Sequence, residues 1–96
     1  MEAMLYLEGG TFKEVFPVNG STFGLEELQR MVRGYIQIVP LEKENLQNKL
    51  LVCNEEGRND GMCQPNFNAT MEWVKYYGET DVMYGNILIC DPKMIE

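Results

Sequence analysis

The sequence predicts an α+β domain: a mainly antiparallel sheet of about five strands with two helices packed on one face, in the order β-β-α-β-β-α-β. Three observations lead there. Gly9-Gly10 separates two β-prone apolar runs, a hairpin signal because both glycines tolerate positive φ. Leu25, Leu28, Met31 and Val32 recur at three- and four-residue spacing, the period of an amphipathic helix. Short apolar runs then return at 35–39, 49–53 and 86–90, bounded by polar, glycine- and proline-bearing turns.

Taken in order, Met4 to Leu7 is the first strand and Phe12 to Val18 the second, with Pro17 marking an edge or an end. Asn19-Gly-Ser-Thr makes a turn and supplies caps for the first helix. Glu26 and Glu27 in its first turn, and Arg30 and Arg33 in its last, complement the helix dipole. Gly34 is placed as its C-terminal stop. Tyr35 to Val39 is a strand stopped by Pro40, and a charged connection leads to Lys49–Cys53, a buried central strand. The segment from Asn54 to Gly61 is a polar loop. Asn66 or Asn68 caps a second helix that ends at Gly78 and carries Trp73 into the core. Asp81 to Gly85 is rich in turns, and Asn86 to Cys90 is the last buried strand.

Ninety-six residues without repeats, linkers or low-complexity stretches fit one domain over 1–96, and 45% apolar content suits a globular chain. Fifteen acidic against eight basic residues give a net charge of −7. That disfavours direct nucleic-acid or anionic-membrane binding and is compatible with a basic protein partner, including a nucleic-acid enzyme whose cationic groove could be covered. Acidic charge also serves plain solubility. No basic leader and no run near the roughly 20 apolar residues of a membrane span are present, so a cytoplasmic protein is expected.

The absence of histidine removes the commonest general base and a common metal ligand together. Cys53, Cys63 and Cys90 show no CxxC spacing; Cys53 and Cys90 read as core residues, and Cys63 as the one loop thiol. The stretch from Glu56 to Gly61 fails as a calcium loop, because Arg58 takes a ligand position and Phe67 stands where the bidentate Glu belongs. No metal, cofactor or catalytic group is therefore expected. What remains is a polar set of candidate binding residues: Asn54, Glu55, Glu56, Arg58, Asp60, Asn66, Asp81 and Asn86. Several flank buried strands, where loops can converge at one end of a sheet. The plainer reading of such residues, and of Asn68 and Thr70, is turn and cap chemistry. Tyr76, Tyr77 and Tyr84 could act as aromatic anchors.

At Gly34-Tyr-Ile-Gln-Ile-Val, Asn54-Glu-Glu-Gly and Asp81-x-x-x-Gly85-Asn-Ile, the chain resembles the domain-of-unknown-function family 3846. The resemblance runs from about Val18 to Cys90. Arg33 stands where the family usually has a small residue, and the stretch from Gly61 to Tyr77 is longer than typical. The resemblance implies a phage, conjugative-element or bacterial setting and no established activity. Together these readings give the expected function: a non-catalytic binding protein, such as a counter-defence inhibitor of a host protein. The alternative is a small-ligand, nucleotide-like binding domain. Exposed apolar residues on edge strands could equally form a homodimer.

Overall fold

The structure is a computed structural model that describes residues 3–57, 61, 63–78 and 82–95. Five strands form one antiparallel sheet: β1 (Ala3–Tyr6), β2 (Phe12–Glu14), β3 (Ile36–Leu41), β4 (Lys49–Asn54) and β5 (Ile87–Cys90). Helix α1 (Leu25–Val32) follows β2, and α2 (Phe67–Tyr77) lies between β4 and β5. The α+β class and the element order are those the sequence predicts. Across the sheet the order is β2-β1-β5-β4-β3, so the last strand is inserted between the first and the fourth. A 3-10 turn (Pro92–Met94) buries Met94 and bonds back to Phe23.

The helices do not share a face. Leu28 and Val32 of α1 pack with Ala3, Leu5, Val52, Leu88 and Cys90. Ala69 of α2, with Trp73 and Tyr76 beside it, packs with Leu51, Ile87 and Ile89. Successive strand residues point to opposite faces, so these two sets define opposite sides of the sheet. The physical reason lies in the central strands. Leu50–Cys53 and Ile87–Cys90 are apolar at every position, and a strand apolar on both sides requires cover on both.

Four local expectations are also corrected. β2 ends at Glu14 rather than Val18, leaving Phe16 and Val18 exposed. Pro40 lies inside β3 instead of ending it, which an edge strand permits. The Glu55 N–H bonds the Tyr35 carbonyl at 2.9 Å. By alternation Pro40, five residues on, therefore turns its missing N–H and its carbonyl away from β4. The Tyr77 hydroxyl donates to that carbonyl, so this part of the outer edge is closed. Finally, the left-handed residue ending α1 is Arg33, at φ 61°, rather than Gly34. Glu27, not the Asn19 turn, caps the start of α1 by accepting the Gly24 N–H at 2.9 Å.

Candidate functional site

One end of the sheet collects the C-terminal ends of β1 and β4, the starts of β3 and β5, the last turn of α1 and the first of α2. Asn54 is buried there. Its Nδ2 donates to the carbonyls of Val32 (3.1 Å) and Arg33 (3.2 Å), and its Oδ1 accepts the Glu56 N–H at 2.8 Å. Helix α1 thus ends on a side chain from β4. Gly34 is required by space rather than by φ, since a Cβ there would lie 2.7 Å from the Asn54 Nδ2.

Asn66 plays the same part for α2. It caps the helix by accepting the Ala69 N–H at 3.1 Å, and its Nδ2 donates to the carbonyls of Tyr6 (2.9 Å) and Gly85 (2.7 Å). Thr70 donates to the Asn66 carbonyl and accepts the Met83 N–H. The Asn86 Oδ1 accepts the Glu8 N–H at 3.1 Å, and Asn68 donates to the Gly10 carbonyl. The candidate asparagines therefore have backbone partners and build the scaffold.

Glu8 belongs to this cluster, although its sequence context gives no signal for it. Its carboxylate accepts the Gln64 N–H at 3.0 Å and pairs with Arg33 at 2.6 Å. The Gln64 N–H, and then Arg33, hold the carboxyl below its ordinary value, with partial burial opposing them. Burial pushes the Cys90 thiol up to about 11, with Asp91 adding to the shift, and burial also raises Cys53. Neither is a ready thiolate at neutral pH. Cys63 is half-buried, its sulfur 3.3 Å from where a Gly85 Cβ would sit. Among the described residues, no group of three or more His, Cys, Asp or Glu could hold a metal ion. No helix among them is long and apolar enough to cross a membrane.

Glu55 and Glu56 are different. Both are exposed, and neither carboxylate has a partner among the described residues. Their backbone is fixed: the Glu55 N–H bonds Tyr35, the Glu56 N–H bonds the Asn54 side chain, and the Gly57 N–H bonds the Asn54 carbonyl at 3.0 Å. Gly57 is buried, and a Cβ there would lie 3.1 Å from the Tyr84 carbonyl. Across from Glu55 stands Tyr35, 74% exposed, an aromatic that the list of candidates omits. Its signal is an aromatic directly after a helix stop. Tyr76 and Tyr77 instead bond across to the carbonyls of Gln47 and Pro40. Arg58, Asp60 and Asp81 lie outside the described residues.

Beside the turn, on the α2 face, an open cleft of about 250 Å³ is lined by Gln37, Cys53, Glu55, Trp73, Met83 and Tyr84 among others. The Trp73 Nε1–H is buried and has no acceptor among the described residues.

The model of a family described as domain of unknown function (DUF3846) matches residues 1–94. The chain belongs to that family. No curated protein and no solved structure matches it. Gly34, Asn54, Gly57 and Gly85 meet at this sheet end and do architectural work there. Gly34 and Gly57 allow close approach, Asn54 bridges, and Gly85 takes φ 82°.

Proposed function

We propose that this DUF3846 chain is a non-catalytic binding protein that engages a basic surface of a partner protein through the Glu55–Glu56 turn and the adjoining Tyr35. The observation that carries this reading is the turn itself: two exposed carboxylates without counter-charges among the described residues, on a backbone whose three N–H groups are all bonded. A rigid anionic projection loses little entropy on binding, and an exposed aromatic beside it is the kind of residue that anchors interfaces. The net charge of −7 adds long-range attraction toward a cationic partner. The absence of histidine, the raised thiols of Cys53 and Cys90, and the backbone engagement of Asn54, Asn66 and Asn86 support recognition over turnover.

The phage and conjugative-element setting implied by the resemblance extends the proposal. The partner is then a host protein, and covering the cationic groove of a nucleic-acid enzyme would make this chain a counter-defence inhibitor in the cytoplasm. Capture from a host lysate tests this: a partner retained at low ionic strength and released at high is expected. The absence of any salt-sensitive partner counts against it.

A second reading is a small-ligand, nucleotide-like binding domain using the cleft beside Trp73. It is favoured by the Trp73 Nε1–H, which has no acceptor among the described residues, and disfavoured by size, since ligand pockets usually span roughly 300–1,000 Å³. A nucleotide that raises the melting temperature with concentration would support it, and a flat response across a nucleotide panel would reject it.

A further inference from the structure

Helix α2 is apolar on two sides. Ala69, Trp73 and Tyr76 face the sheet. On the other side Phe67 is 70% exposed and Met71 62%, with Val74 half-buried and Gly78 closing the helix. Positions 67, 71, 74 and 78 are spaced four, three and four apart, the seam along which two helices pack. We propose that this seam is a homodimer interface, occupied by α2 of a second copy of the chain running antiparallel about a two-fold axis.

The choice of a second copy rests on shape and on charge. A two-fold between positions 72 and 73 sets Met71 against the second copy's Val74, and Phe67 against its Gly78. The largest residue of the seam then meets the smallest, and nothing lies within 4 Å of where a Gly78 Cβ would project. Among the described residues nothing obstructs the ring at that end. An isologous contact needs this self-complementarity. Charge points the same way. Two chains of −7 repel wherever their acidic surfaces meet, yet of the fifteen acidic residues only Glu72 lies in α2. Glu72 sits off the seam, paired with Lys75 at 2.6 Å and bonded by the Tyr6 hydroxyl. In the two-fold register Lys75 faces the second copy's Thr70, and Asn68 faces its Tyr77, so no like charges are opposed along the flanks. The helix has 11 residues and spans about 16 Å, so the contact is small and the dimer should dissociate on dilution.

Sedimentation of the whole chain over a concentration series, in low and in physiological salt, tests the proposal. A monomer–dimer equilibrium is expected, strengthened by salt because screening relieves the −7 repulsion. Met71→Lys should abolish the dimer while leaving the circular dichroism and melting temperature of the monomer unchanged. Should that variant melt early, Phe67→Gln supplies the same test at a more exposed residue. Val18→Lys, at the 86% exposed position of the groove between the β2 segment and α1, should leave the dimer intact. A chain that stays monomeric at millimolar concentration overturns the proposal. So does a dimer lost in Val18→Lys but retained in folded Met71→Lys.

Discussion

The Asn54 amide, with its protons on the carbonyls of Val32 and Arg33 and its oxygen on the Glu56 N–H, joins a helix, a strand and a turn through one side chain. Asn54→Ala leaves these buried backbone groups short of partners and should cost about 2 kcal/mol in denaturant unfolding. Gly34→Ala drives a methyl to 2.7 Å from the same amide, for a cost of about 1–3 kcal/mol. Because both changes act on one contact, the double variant should lose clearly less than the sum. Strict additivity would show that the two residues do not touch. Glu8 gives the pH response of this corner. Its folded pKa is depressed, so its contribution is present above the ordinary value of 4.5 and disappears as pH falls through the lower folded value. Glu27, depressed by the N–H groups of Gly24 and Val18, titrates in the same acid window. Glu8→Gln should therefore flatten the loss of stability in acid, measured as melting temperature against pH. An unchanged slope contradicts the assignment.

Among the elements, α2 keeps the bounds that its sequence suggests, because its stop at Gly78 and its cap, at Asn66 of the two asparagines on offer, use local chemistry. Asn66→Ala removes a cap and the side-chain donor to the carbonyls of Tyr6 and Gly85, and should cost about 2 kcal/mol or more. Asn68→Ala removes one exposed bond to Gly10 and should cost about 0.5 kcal/mol or less. Thermal unfolding of the pair checks the order, and equal losses would undo the scaffold role of Asn66. What the sequence left open was non-local. The insertion of β5 between β1 and β4 has no local marker. The placement of the helices on opposite faces was readable only in the lack of alternation along β4 and β5. Gly34 shows the same limit: its position after a helix suggested a left-handed stop, whereas its neighbour in space comes from twenty residues away. Of the candidate binding residues, the asparagines were recognisable as polar and well placed. Whether they serve a ligand or the backbone depended on partners such as Tyr6 and Gly85, distant in the chain.

At the scale of the whole molecule, this DUF3846 chain is a two-faced sheet whose one end is locked by buried amides and carries two exposed carboxylates. The two associations proposed here should respond to salt in opposite ways, since screening weakens attraction to a basic partner and relieves repulsion between acidic copies. The decisive measurement is the affinity of the captured partner for the parent chain and for the Glu55→Lys/Glu56→Lys variant across a salt series. A parent complex that weakens with salt, and a variant that keeps its melting temperature but loses most of its affinity and its salt dependence, is the predicted result. Equal affinity and equal salt dependence in the two proteins would contradict the role given to the turn.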